Sequence, residues 1–182
     1  MIDSLISVLE NFRSQMPKVD ATGQRLAKCL LEGHKILACG NGGSASDSMH
    51  LCEELTGRYR ENRKALAAIS LNADGTALTC IANDFGFEEV FARQVEALGE
   101  PGDVLVAFST SGSSPNVIRA VEAAKEKGID QILLSGKGGG AAAGMVSQAI
   151  LVPSDDSARI QEVHTFILHS WLEEIEAAVF AR

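Results

Sequence analysis

Two Gly/Ser-rich loops, each set between a short apolar run and an amphipathic stretch, restrict what this chain can fold into. The first reads Lys35-Ile-Leu-Ala-Cys-Gly-Asn-Gly-Gly-Ser44 and the second Val104-Leu-Val-Ala-Phe-Ser-Thr-Ser-Gly-Ser-Ser114. Each is the pattern of a buried strand, a small-residue turn and a helix start. Such a turn aims backbone N–H groups and the positive end of a helix at one point, a geometry that suits an anion. The second loop adds the hydroxyls of Ser109, Thr110, Ser111, Ser113 and Ser114, which donate to phosphate oxygens without adding charge.

The pattern between and beyond these loops alternates. Strands are expected at about 35–39, 66–70, 104–108, 131–134 and 149–152. Helices are expected at about 44–56, 76–82, 87–97, 115–127 and 155–180, with Gly136–Gly140 as a flexible loop leading to a short helix of small residues. Pro115 fits the first turn of its helix and Gly128 the position after its end. Alternating β and α units imply a parallel sheet covered on both faces, with ligands at the carboxyl ends of the strands, where both loops fall. Ahead of this unit, Ile2, Leu5, Ile6, Leu9 and Phe12 repeat at helical spacing, and a second helix is expected over Val19–Leu31. The first of these helices has either a partner subunit or its own domain to pack on. With no repeat and no linker, the 182 residues read as one domain.

Composition limits the function classes. A formal charge of −8 argues against general nucleic-acid binding, so a bound phosphate must be held by local dipoles and few cations. No apolar run approaches a membrane span and no signal peptide is evident, which leads us to expect a cytoplasmic protein. Cys29, Cys39, Cys52 and Cys80 form no CxxC pair and read as thiols in a reducing compartment.

Gly40-Asn-Gly42-Gly-Ser-Ala45 loosely fits a dinucleotide fingerprint, but no carboxylate ends the second strand to hold a ribose. His50 and Glu54 lie four residues apart on one helix face. Taken alone, such a pair is usually a surface pair. Among Met49, Leu51, Cys52 and Leu55 it needs a partner, a metal or a ligand, and an imidazole with an acidic oxygen is also a divalent-metal pattern. The last helix sets Gln161, Glu162, His164 and His169 in an otherwise apolar sequence. By itself His169 reads as a hydrogen-bonded core histidine. Arg58 and Arg60 read as phosphate partners or a solvated helix end, and Asn83-Asp84 as part of a turn.

Together, Cys39-Gly-Asn-Gly-Gly-Ser44, Met49-His50 through Glu53-Glu54-Leu-Thr-Gly-Arg58-Tyr59, Asn83-Asp84-Phe-Gly-Phe87, Ser109–Ser114 and Arg159-Ile-Gln161-Glu-Val-His164 with His169 closely resemble the SIS (sugar isomerase) domain family, in its phosphoheptose isomerase branch. The resemblance covers nearly the whole chain. It implies a three-layer αβα sandwich with a five-stranded parallel sheet. Residues 1–33 would be an N-terminal helical extension and 34–182 the α/β core of a single SIS domain. It implies an isomerase converting sedoheptulose 7-phosphate to glycero-manno-heptose 7-phosphate, the first step toward heptose units of lipopolysaccharide core or related surface glycans.

By the same resemblance, Glu54 and His169 are the catalytic pair. A divalent metal, zinc above all, would be held by His50, Glu54, Gln161 and His169. Substrate would meet Asn41, Gly42, Gly43, Glu54, Asn83, Asp84, Ser109, Thr110, Ser111, Ser114 and Gln161, in a homotetramer with sites at subunit interfaces. Ala45-Ser46 replaces the His-Cys of some members. The chemistry agrees with these residue types: aldose–ketose isomerisation needs one base to move a proton between adjacent carbons and an acid or a metal at the two oxygens. The other reading within the family is a non-catalytic tetramer that binds a DNA-replication initiator or senses a phosphosugar. Glu54 and His169 together favour the enzyme. Gln161 and His169 stand about 12 Å apart along one helix, too far to share one ion easily, so sites built from two chains are expected.

Overall fold

The structure is a computed structural model that describes residues 1–181. Arg182, the last residue of the expected domain, lies outside the described residues. Helices α1 (Ile2–Phe12) and α2 (Met16–Leu31), joined by a single 3₁₀ turn, lead into β1 (Ile36–Gly40), α3 (Gly43–Thr56), β2 (Ala68–Ser70), α4 (Gly75–Phe85), α5 (Ala92–Leu98), β3 (Val104–Ser109), α6 (Pro115–Glu126), β4 (Asp130–Ser135), β5 (Gln148–Leu151) and α7 (Ser157–Phe180). The sheet is parallel throughout, in the order β2-β1-β3-β4-β5.

Strand periodicity divides the core in two. Ile36, Ala38, Val104, Val106, Phe108, Ile132 and Leu134 face α1, α2, α3 and α7. Leu37, Cys39, Leu105, Ala107 and Leu133 face the α5 and α6 side. Every residue of β1 and β3 is buried, which is why these strands are apolar runs rather than alternating patterns. The leading helices belong to the same core. Phe12, Val19, Leu26 and Leu30 are buried in it, and the indole N–H of Trp171 on α7 donates to the Val19 carbonyl at 3.0 Å. Helix α1 lays Leu5, Val8 and Leu9 on this core and leaves Ile2 and Ile6 outside, so at least one face packs on its own chain.

Some boundaries differ from the sequence expectation. Strand β2 pairs over three residues only, because Leu66 turns aside to donate to the Leu55 carbonyl. The helix expected over 87–97 is a 3₁₀ turn followed by α5. Helix α4 runs on to Phe85, so Asn83 and Asp84 are helical rather than in a turn. Gly136–Gly140 is a pinned crossing rather than a free loop. Gly136 donates to Thr110, Lys137 to Ser154, and Ala142 to Gly112. At φ +60°, Gly112 presses on the Gly139 carbonyl where any Cβ would collide. The short helix expected beyond it is a single 3₁₀ turn at Ala142–Gly144.

One core residue carries a pH consequence. His164 on α7 is wholly buried, edge-on to Phe108 at 6.1 Å. The Ser135 backbone lies beside it, yet neither ring nitrogen has a hydrogen bond of good geometry. Burial pushes its pKa down to about 4. Above pH 6.5 the ring is neutral folded and unfolded. Between 6.5 and 4 only the unfolded chain takes the proton, so acidification removes roughly 3 kcal/mol of stability. Buried Asp47 acts oppositely over a similar range, because burial raises its carboxyl to about 6 and the folded chain protonates first. Urea unfolding at pH 7 and pH 4 will therefore show His164→Leu gaining on the wild type as pH falls, and Asp47→Asn losing ground.

Candidate active site

Strand order reverses between β1 and β3: β1 crosses over to β2 on one side, and β3 to β4 on the other. The loops after these two strands part at this switch point and open a crevice between them. Helices α3 and α6 begin at that crevice, behind Gly42 and Ser114, and neither has a side-chain cap. Helices α4 and α7, by contrast, are capped by Asp74 and Asp156. The site's two helix N-termini thus keep their partial positive charge for a ligand.

A cavity of about 60 Å³ sits between the loops, lined by Asn41, Ser44, Phe108, Ser109, Thr110, Ser111, Ser114 and Gln161. No lysine or arginine lines it. Reciprocal amide hydrogen bonds of 2.8 and 2.9 Å between Asn41 and Asn116 tie the two loops together. Ser109 Oγ accepts from the Gly112 N–H at 3.1 Å and Ser111 Oγ from the Ser113 N–H at 3.2 Å, which folds the serine loop back on itself. Gly43 lets α7 come close: a Cβ there would lie 2.6 Å from the Gln161 amide nitrogen.

From this cavity a polar seam runs between α3 and α7, which ascend side by side. Gly43 faces Gln161. Next, Thr165 donates to Asp47 at 3.2 Å. Beyond it, the His50 and His169 rings meet edge-to-face with centroids 5.0 Å apart. His50 Nε2 lies 3.5 Å from Glu54 Oε1, and Tyr59 stacks on His169 at 5.8 Å. Burial lowers the His169 pKa, with the nearby His50 adding to the effect, so the ring is held toward its neutral form. The other oxygen of Asp47 is buried without a partner among the described residues.

The structure thus brings His50, Glu54 and His169 of a single chain together, without a second subunit. Gln161, two turns back on α7, stands at the cavity end. Ligand atoms of His50, Glu53 and Glu54 lie within 4.8 Å of one another. Two ligands of a tetrahedral zinc, each about 2.1 Å from it, stand roughly 3.4 Å apart, which the observed His50–Glu54 separation of 3.5 Å matches. An imidazole with carboxylates is zinc's donor chemistry, so His50 with its neighbouring carboxylates fits the ion, with the His169 ring at its edge.

Asn83 and Asp84 are not brought to the cavity or the cluster. Both are exposed, and among the described residues the Asn83 amide donates to Asp84 and the Cys80 thiol reaches Asp84. Arg58 and Arg60 form the solvated end of α3: Arg58 donates to the Arg60 carbonyl, and Arg60 pairs with Glu173. Sequence reasoning missed Ser44, Asp47, Glu53, Tyr59 and Thr165 as members of the site. Thr165 falls midway between Gln161 and His169 at the helical repeat of four, a signal that was there to use. The approach of Tyr59 to His169, 110 positions away, had no local signal.

The SIS domain family profile matches residues 2–136. The chain is 51% identical over 172 residues to phosphoheptose isomerase 1 of Campylobacter jejuni, covering 94% of this chain and 91% of that protein. It is 57% identical over 142 residues to the phosphoheptose isomerase of Helicobacter pylori, covering 78% and 74%. The structure of phosphoheptose isomerase GmhA from Neisseria gonorrhoeae superposes with a TM-score of 0.91 at 41% identity, covering 97% of this chain and 95% of that one. Sequence and architecture agree, and the chain belongs to the SIS domain family, among its phosphoheptose isomerases.

Proposed function

We propose that this chain isomerises sedoheptulose 7-phosphate to glycero-manno-heptose 7-phosphate, supplying heptose for lipopolysaccharide core or related surface glycans from the cytoplasm. The chain from end to end would act as one SIS domain. The observation that carries this reading is the spacing along the α3–α7 seam. The cavity end and the His50/Glu54/His169 end are separated by eight residues of α7, about 12 Å. Six C–C bonds of about 1.5 Å in an extended zigzag span roughly 8 Å, and the phosphate ester lengthens this toward that helical rise. A heptose held by its C7 phosphate in the cavity therefore places C1 and C2 at the cluster.

In this reading, Ser109, Thr110, Ser111 and Ser114 hold the phosphate with the first turn of α6, while Asn41, Gly42, Gly43 and Gln161 line the sugar's path. The Glu54 carboxylate takes the proton from C1 to give the enediol and returns it to C2. His169 moves the proton between the two oxygens. A divalent ion, zinc by the donor set, would be held by His50, Glu54 and His169, and when bound supplies Lewis-acid polarisation of the carbonyl. The alternative of a non-catalytic phosphosugar sensor leaves the joining of Glu54 and His169 through His50 without a purpose. Incubation with sedoheptulose 7-phosphate, followed by NMR, tests the reading directly, and an unchanged ketose spectrum would refute it.

Two variants separate chemistry from binding. Glu54→Gln keeps the side-chain shape and will lower kcat by roughly 10²-fold or more; near-normal turnover in a folded variant would remove Glu54 from the proton transfer. Ser109→Ala combined with Ser111→Ala will raise KM more than it lowers kcat, because neutral donors rather than cations hold the phosphate. An unchanged KM would place the phosphate elsewhere.

Assembly into a homotetramer completes the proposal. Helix α4 has no buried residue, and Phe85 and Phe87 at its end are 50% and 62% exposed, a surface that a neighbouring copy would cover. Asn83 and Asp84 would then reach the neighbour's substrate. Refolding Glu54→Gln chains with Asp84→Ala chains will restore activity to about a quarter of the sites, since each neighbour supplies what the other lacks. Refolding Glu54→Gln with His169→Ala will restore none, since both residues serve the same chain. Recovery in the second mixture rather than the first would reverse this assignment.

A further inference from the structure

We infer that Glu176 and Arg63 form a buried clamp on the loop after α3, and that through Tyr59 this clamp sets the orientation of the His169 ring. The inference rests on the proposed role of His169. Glu176 lies on α7, seven residues beyond His169, and is 6% exposed. Its carboxylate accepts the backbone N–H groups of Tyr59 at 3.3 Å and Arg60 at 3.2 Å, with that of Glu61 at 3.5 Å. Successive main-chain N–H groups turned onto one anion fix the path of a loop through its backbone.

Arg63 closes the arrangement from below. Its side chain is 1% exposed, with Nε 3.3 Å from Glu176 Oε1 as an ion pair, though not aligned as a hydrogen bond. Its two terminal nitrogens donate to the carbonyls of Glu54 at 2.7 Å and Leu55 at 2.9 Å, capping the last turn of α3. One ion pair thus joins the end of the helix that carries Glu54, the loop that carries Tyr59 and the helix that carries His169. What the loop delivers is the Tyr59 ring, stacked on His169 with an interplanar angle of 23°. His50 meets the same ring edge-on, so the imidazole is confined from two directions. Arg60 lies over the Tyr59 ring at 5.0 Å and pairs with Glu173 at 2.6 Å, holding the stack from outside. A buried ion pair contributes little net stability beside an apolar replacement, whereas the placement of a proton-transferring ring is sensitive to small displacements. Glu176, Arg63 and Tyr59 are on this argument positioning residues.

The test combines kinetics with the imidazole NMR signals of the full-length protein. Tyr59→Ala and Glu176→Gln will each lower kcat roughly 10- to 100-fold with KM for sedoheptulose 7-phosphate within about twofold, because the phosphate is held at the far end of the seam. The double variant will lose no more than the worse single one, since both act on one ring, and Tyr59→Phe will recover most of the turnover lost in Tyr59→Ala. Both Tyr59→Ala and Glu176→Gln will shift the His169 ring signals, while those of His164 stay in place. If Glu176→Gln does not fold, the Tyr59 pair decides alone. Additive losses, a rise in KM matching the fall in kcat, or wild-type His169 signals and turnover in Tyr59→Ala would overturn the clamp. A wild-type chain that does not isomerise the ketose would instead defeat the proposed function, and the His169 signals would still judge the clamp.

Discussion

Where β1 and β3 end, α3 and α6 must begin within a few residues, and the crossover directions force the two loops apart. Neither helix start has its N–H groups bonded by a capping side chain, although Ser114 stands at the start of α6. Their dipoles are therefore available at one crevice, where an anion would take the place of the side-chain cap each helix lacks. The serine hydroxyls, the absence of cations and the paired Asn41 and Asn116 amides are all consistent with this one electrostatic condition. An overall charge of −8 does not oppose it, because the field that matters is local.

The packing of α3 beside α7 gives that crevice a direction. The two helices keep register through Gly43 with Gln161, Asp47 with Thr165, and His50 with His169. In the proposed reaction the first pair lies at the phosphate end and the last at the proton-transfer end. Burial acts differently on the ionisable members: it raises Asp47 and lowers His169, so in both cases it favours the uncharged form along the seam.

Much of this architecture was legible in the sequence because it rests on local signals. The five strands were apolar runs between turn residues, and Pro115 and Gly128 marked the two ends of α6. What escaped was set by contacts distant in sequence. The pinning of Gly136–Gly140 depends on carbonyls of Thr110, Gly112 and Ser154, so a glycine run that looks mobile alone is fixed. Asn83 and Asp84 looked like turn residues, yet α4 continues through them until Gly86 at φ +95° ends it. His50 and Glu54 stood out by their spacing of four on one helix, His169 entered through the family resemblance, and only the fold shows that one chain brings the three together. Tyr59, Arg63 and Glu176 gave no local sign of their association, since an ion pair between a loop and a helix more than a hundred residues later has no periodicity to betray it.

The α3–α7 seam also works as a gauge. Both of its ends are fixed to helices, so the distance between the serine-loop cavity and the His50, Glu54 and His169 end is a constant of the fold. For the proposed reaction this turns chain length into a criterion of selection. A hexose or pentose phosphate anchored in the same cavity would hold its carbonyl short of Glu54 by roughly one or two bond projections, each a little over 1 Å. Displacements of that size weigh heavily on proton transfer. Shorter sugar phosphates would then occupy the site as inhibitors rather than substrates, discriminated by reach without any contact that reads the missing carbon.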